Sequence, residues 1–164
     1  MNNEKEVLLE VSDLKKHFTM KNKKIIKAVD GVSFSIAKGE TLGLVGESGC
    51  GKTTCGRTAI GLYAPTSGKT LYRGKEIHSL KGAERKAFTK DVQVVFQDPY
   101  SSLDPKMRVI DIVSEGLIGH NLVSGNAEKK EAVQELLKLV GLRSEHATRY
   151  AVSYTHLRAH ETCA

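Results

Sequence analysis

Residues 44–54, LVGESGCGKTT, decide how the chain folds. They match G-x-x-x-x-G-K-[ST], with Gly46 opening the pattern, Gly51 and Lys52 closing it and Thr53 supplying the hydroxyl. Just upstream, residues 41–45 (TLGLV) form a short apolar run that reads as a buried strand. Downstream, Thr54, Arg57, Ala59 and Leu62 continue at helical spacing. Strand, loop and helix therefore follow in the order a phosphate cradle requires. Gly46, Gly49 and Gly51 let backbone N–H groups turn inward with no Cβ in the way, and the helix N-terminus adds partial positive charge. The pattern predicts a polyphosphate ligand held along Gly46, Glu47, Ser48, Gly49, Cys50, Gly51, Lys52, Thr53 and Thr54. Lys52 would reach the β- and γ-phosphates as a point charge, and the Thr53 hydroxyl would take one site on a bridging Mg²⁺. A glycine-rich turn that binds nothing is the plain alternative, and the strand-to-helix setting weighs against it.

Composition sets outer limits. With 164 residues, 40% hydrophobic and 27% charged, the chain has the make-up of one ordinary globular domain, which excludes a disordered tail or a fibre. No apolar run approaches membrane-spanning length, and MNNEKEVLLE lacks the basic start and apolar core of a signal peptide, so a cytoplasmic protein is expected. Cys50, Cys55 and Cys163 show no paired metal spacing and read as free thiols. The net charge of +6 is scattered apart from Lys21, Lys23, Lys24 and Lys27, which read as a solvated surface loop, so no nucleic-acid partner is expected. His17, His78, His120 and His146 have no partners at metal spacing and are expected at the surface.

Along the chain, residues 7–11 read as a strand, and Val32, Phe34 and Ile36 alternate with Ser33 and Ser35. The chain thus opens with a small antiparallel sheet. Pro65, Ser67 and Gly68 mark a turn after the first helix, and the segment through Leu71 and Ile77 returns as further strand around a Gly74 turn. A polar helix follows over residues 82–89. Val92, Val94, Val95 and Phe96 make a second core strand that ends at Gln97, where the turn-rich DPYSSLDP begins. Asn126 is placed to cap a helix whose Val133, Leu136, Leu137 and Val140 share one face, with Gly141 as its stop.

Taken together, GESGCGKTT, VVFQDPYSSLDPKM and KAVDGVSFSIAKGE resemble the ATP-binding subunit of ABC transporters. Within that family the likeness is to the oligopeptide and dipeptide importer group, whose members carry a similar Q-D-P-x-S-S-L segment. It extends over residues 8–150. The resemblance implies an α/β fold, the P-loop NTPase nucleotide-binding domain of ABC type. Residues 1–150 would then supply the N-terminal antiparallel sheet, an incomplete parallel core and, over residues 109–140, part of the helical subdomain. It implies ATP and Mg²⁺ as cofactors. It makes Gln97 the Q-loop glutamine that touches Mg²⁺ or the attacking water, so that Thr53 and Gln97 become the metal-side residues; spacing alone favours an exposed polar strand end, and the flanking FQDPYSSLDP carries the functional reading. It makes Phe18, in DLKKHF, the aromatic that stacks on adenine, with an ordinary packed Phe as the alternative. The implied partners are transmembrane permease subunits, a second nucleotide-binding subunit and, indirectly, a substrate-binding protein. The implied place is the inner face of the cell membrane, and peptide as cargo rests on resemblance alone.

The last residues depart from that pattern. After the equivalent of Arg149 and Tyr150 the family runs into L-S-G-G-Q, an apolar strand ending in Asp-Glu, and a switch histidine, whereas this chain reads AVSYTHLRAHETCA. One choice of codons for residues 152–162 spells a transposase-type sequencing adaptor, so residues 151–164 are expected to be a non-native tail; a divergent C-terminus is the alternative. His156 and His160 stand four apart and, lacking further ligands, make a weak zinc pair. These 164 residues should therefore bind nucleotide at most, and the parallel-core strands should leave apolar edges that promote aggregation. A soluble ABC ATPase of DNA repair or translation, or an inactive fragment, are the competing readings. A small-molecule kinase is disfavoured, since nothing in its chemistry calls for FQDPYSSLDP after the second strand.

Overall fold

The computed structural model of the chain describes residues 6–97 and 103–151. Strands β1 (Val7–Thr19) and β2 (Ile25–Ala37) form a long antiparallel hairpin. Its turn is closed by Met20 N–H to Lys24 O at 2.9 Å and Lys23 N–H to Met20 O at 2.9 Å, and the lysines of this turn lie exposed. Strand β3 (Ser67–Tyr72) pairs with the free side of β1, and β4 (Lys75–Glu76) pairs with β3, giving the order β2-β1-β3-β4 with every pair antiparallel. Arg73 at φ 47° and Gly74 at φ 77° form the loop between β3 and β4, and two successive positive φ values give the tight hairpin twist that suits right-handed strands.

The alternation read in β2 holds: Val32, Phe34 and Ile36 are half-buried while Ser33 and Ser35 are exposed. β1 breaks the rule in a useful way. Val11 and Leu14 are three residues apart yet 1% and 0% exposed, although strict period-2 alternation sends such a pair to opposite faces. The ladder shifts register between them, with Asp13 at φ 45° and its N–H donating to Ser33 Oγ at 2.8 Å. This irregularity turns Leu14 back inward. Gly68 of β3 meets β1 at the same place, where a Cβ would overlap Asp13 O.

Helix α1 (Lys52–Ala59) brings Ala59 against Val11 and Leu14, with Leu9 and Phe34 completing the cluster. Burying a side chain such as Leu14 contributes about 1.5–3 kcal/mol. α1 stops short of Leu62, because Gly61 turns left-handed at φ 77° and Leu62 N–H bonds to Arg57 O at 2.8 Å. Helix α2 (Gly82–Asp91) buries Phe88, which meets Tyr72 edge-on with ring centroids 5.4 Å apart.

A second compact unit begins at Gln93. Its helices α3 (Val109–Gly119) and α4 (Asn126–Leu139) and a short 3-10 turn (Ser144–Thr148) close around Val133, Leu137 and Ala147. Gly125 takes the cap position of α4 that was expected of Asn126, and Glu128 Oε2 in the first turn accepts the Ser124 N–H at 2.8 Å. That acidic group sits where the helix dipole favours it. Gly141 is the stop, at φ 76°, with Leu142 N–H bonding Leu137 O at 2.8 Å. Of the expected apolar face, Val133 and Leu137 are buried while Leu136 and Val140 are exposed. At its end the unit is pinned by an Arg108–Tyr150 bridge and by Ala151 N–H to Met107 O at 3.1 Å.

Two expectations need correction. Residues 41–45 and 92–96, read as core strands, belong to no sheet among the described residues, and Val45 and Val95 are 96% and 93% exposed. A parallel strand requires a neighbour delivered by a crossover connection, and the only sheet among the described residues is the antiparallel one. The DPYSS stretch, Cys163, His156 and His160 lie outside the described residues.

Candidate functional site

The glycine-rich loop enters α1 through Gly51, which takes the cap position at φ 95° and ψ 5°. A Cβ on Gly51 would overlap Ala28 O of β2, so the loop rests on the hairpin at a point only glycine tolerates. At the loop's other end a Cβ on Gly46 would come to 2.8 Å from Cys50 Sγ. The first turn of α1 carries no acidic residue and no side chain caps it, so its amide donors and the positive end of the helix dipole meet no competing carboxylate from the helix itself.

Lys52 is the first residue of α1, and its side chain folds back over the loop. Its Nζ donates to Gly46 O at 2.8 Å and to Glu47 O at 2.6 Å, and lies 3.6 Å from Cys50 Sγ. A cation is thereby fixed over an arc of backbone that begins at Gly46 and ends in a helix N-terminus. Glu47, Ser48, Gly49, Cys50 and Thr53 are exposed, and Thr53 offers its hydroxyl from the first turn. Thr54 serves the helix: its carbonyl accepts the Thr58 hydroxyl at 2.7 Å. The residues present fit a Mg²⁺-bound polyphosphate on three counts. They supply a close-approach glycine that turns the chain into the helix, an acid-free first turn, and an ammonium beside the loop carbonyls.

Phe18 lies near the end of β1, directly opposite Ile26. Gly51 touches Ala28, two residues further along the same strand, so the aromatic and the loop are separated by roughly 7 Å along the strand and one strand spacing across it. Phe18 is 38% exposed, and its ring meets Tyr63 edge-on with centroids 6.1 Å apart and has Lys16 Nζ 5.0 Å from its centroid. Phe18 and residues 46–54 thus belong to one unit. Gln97 belongs to the other, exposed at the bend that ends residues 92–96.

The sequence marks Arg57 only by its helical spacing after the loop and does not mark Tyr63 or Lys16 at all; the one available signal was an aromatic placed immediately after the helix, in GLYAPTSG. Near the site, Lys27 first and His17 second hydrogen-bond Asp30 and hold its carboxyl below the usual range. Burial pushes the Cys55 thiol up, which leaves that cysteine a packing group; Cys50 is exposed.

The family model described as ABC transporter matches residues 29–158. The chain is 51% identical over 146 residues to the oligopeptide transport ATP-binding protein OppF of Bacillus subtilis, an overlap of 88% of this chain and 48% of that protein. It is 46% identical over 149 residues to the dipeptide transport ATP-binding protein DppF of Lactococcus lactis, covering 90% of this chain and 48% of that one. The chain therefore spans about half the length of the curated relatives it matches. Among solved structures, the dimeric structure of MJ0796, a bacterial ABC transporter cassette, superposes with a TM-score of 0.67 at 26% identity, over 87% of this chain and 61% of that one.

Proposed function

The chain belongs to the ABC transporter family, whose model covers residues 29–158, and from that premise we propose that it binds Mg²⁺-ATP at residues 46–54 as an energy-coupling subunit of an oligopeptide or dipeptide importer. The observation that carries the reading is Lys52 held over the loop by Gly46 O and Glu47 O at the head of an acid-free helix. The names of the relatives, oligopeptide and dipeptide transport ATP-binding proteins, support the cargo class.

Each residue has a stated task. Lys52 exchanges two neutral carbonyl acceptors for anionic phosphate oxygens, a stronger class of hydrogen bond. Thr53 offers its hydroxyl to the metal, Gly51 and the first turn of α1 present amides, and Phe18 supplies an aromatic face for the base. Bound Mg²⁺-ATP contributes the phosphoanhydride and the cation that offsets its charge. Gln97 would act beside the metal or the attacking water. The partners we assign are permease subunits, a second nucleotide-binding subunit and, indirectly, a substrate-binding protein, with the protein lying peripherally on the cytoplasmic face. No described helix is long and apolar enough to cross a membrane. Nucleotide binding is the activity proposed for these 164 residues.

Titration with a fluorescent ATP analogue in the presence of Mg²⁺ tests this reading. The chain should bind, and Lys52→Ala should weaken binding by about tenfold or more, the worth of a hydrogen bond to a charged partner. Absence of binding by the unaltered chain, or equal binding by K52A, would overturn it.

A further inference from the structure

Phe18 is held by a set of contacts that begins on the helix of the phosphate loop. Arg57, one turn and a half into α1, donates from Nη1 to Tyr63 OH at 3.0 Å, with its guanidinium 5.9 Å from the Tyr63 ring. Tyr63 N–H donates to Arg57 O at 3.2 Å, which fixes the backbone of the same residue. The Tyr63 ring then meets Phe18 at an interplanar angle of 88°. The flanking residues are stitched as well. Lys16 Nζ donates to Ala64 O at 2.8 Å, His17 N–H to Thr66 Oγ1 at 2.9 Å, and Thr66 N–H to Lys15 O at 2.7 Å.

We infer that Tyr63 is a positioning residue for the nucleotide base: its ring fixes the plane of Phe18, and its own orientation is set by Arg57 of α1. The helix that presents Lys52 and Thr53 to phosphate thereby also sets the aromatic that faces the base. Phosphate and base subsites then keep a constant separation, which is the preorganisation a two-point ligand rewards. The strut is side-chain contact rather than motif, and its edge-on geometry is the favoured one for two rings. This inference rests on the reading that a nucleotide occupies the loop and stacks on Phe18.

Two probes separate the subsites: ATP, and inorganic tripolyphosphate, which carries the phosphates without the base. Binding of each is measured in the full chain with Mg²⁺, for the unaltered protein and for Phe18→Ala, Tyr63→Leu, Tyr63→Met and Tyr63→Phe. Y63L and Y63M should weaken ATP by roughly threefold to tenfold, the range an edge-on aromatic pair contributes, and leave tripolyphosphate unchanged. Y63F keeps the ring but loses the hydroxyl that accepts from Arg57 Nη1, so its ATP-to-tripolyphosphate ratio should fall between that of the unaltered protein and those of Y63L and Y63M. In an F18A background Y63L should add nothing further, because the two act as one unit. Making both Leu and Met variants means that a folding failure of one, seen in its thermal midpoint, leaves the other to decide. An equal loss for both probes, or an unchanged ratio in Y63L and Y63M alongside a reduced ratio in F18A, overturns the inference while the nucleotide reading stands. An unaltered chain that binds no ATP, or an F18A variant with an unchanged ratio, removes the platform and the inference with it.

Discussion

The β1–β2 hairpin and the apolar run at residues 41–45 look alike in composition and end up in opposite circumstances. Leu14 of β1 is 0% exposed, while Val45, one residue before the phosphate loop, is 96% exposed. Local strength of pattern does not separate them: TLGLV is as apolar as VLLEV. Connection does. β1 finds β2 across a five-residue turn, and on its other side it pairs with β3, which arrives only after α1; both pairings are antiparallel. A strand bound for a parallel sheet has no hairpin partner and depends on a neighbour returned by a crossover. Residues 92–96 repeat the lesson, with Val95 at 93% exposure. Where an antiparallel partner stands among the described residues the apolar strand is covered, and where a parallel neighbour would be needed the apolar run lies open.

The largest test of the contrast is a pair of truncations. Leu14→Ala should cost about 2–5 kcal/mol, because it leaves a cavity among Val11, Ala59 and their neighbours. Val45→Ala should change stability by less than about 0.5 kcal/mol, the range of an exposed site. Urea midpoints of the two variants read this directly. A Val45→Ala cost close to that of L14A would break the comparison, since it would mean that something covers Val45 in solution.

Gly51→Ala probes the joint between the two regions. It should destabilise by about 1–3 kcal/mol, through a left-handed φ of 95° and overlap with Ala28 O, and it should weaken nucleotide binding as the loop leaves the hairpin. Gly49→Ala is the matched control, because Gly49 also has positive φ, 80°, yet has open space around it, so it isolates backbone strain from overlap. Equal effects at both positions, measured by thermal midpoint and ATP titration, would show that contact with β2 does not anchor the loop.

Lysine at the open positions sharpens the contrast from the other side. Val45→Lys with Val95→Lys should shift stability by less than about 0.5 kcal/mol while raising the monomer fraction in light scattering, since a charge on an unpaired apolar segment opposes edge-to-edge association. No change in association would place the sticky surface elsewhere. The hairpin's outer strand is the nearest alternative, with Ile25 and Ile26 exposed among the lysines of the turn.

What was legible in the sequence follows the same division. The loop could be read because every residue it needs lies within nine positions, and its required strand-to-helix order is local. Val32, Phe34 and Ile36 could be read because one face of β2 is buried and the other is not. Leu14 could not be placed beside Val11, since the irregularity that turns it inward depends on Asp13 bonding Ser33 twenty residues away. Asn126 was a reasonable cap on residue type, but Glu128 reaching back to Ser124 sets the helix start one residue earlier. Phe18 was placed by resemblance, and its neighbour Tyr63 had no signature at all, because the contact joins a strand to the turn that follows α1.

The smallest expected effect concerns two histidines that composition alone treats alike. His17, on the hairpin, has a partner in Asp30 Oδ1 at 3.0 Å. His78, just past β4, is half-buried, and its Nε2 finds no hydrogen-bond partner among the described residues. Burial pulls the His78 pKa below its ordinary value of 6.5; Glu76 opposes that shift and Arg85 adds to it. The unfolded chain therefore binds the proton more readily than the folded one, so stability is complete above pH 6.5 and declines as pH falls from there toward the folded pKa. Asp30 acts in a lower window: its carboxyl is held below 3.8, and the stability it supplies is present above that value and lost as pH falls through its folded pKa. His78→Gln should flatten the urea midpoint from pH 7.5 downward through the first window and leave the acid-side decline untouched. An unchanged slope in H78Q would assign the mildly acidic loss to another group and remove the difference between the two histidines.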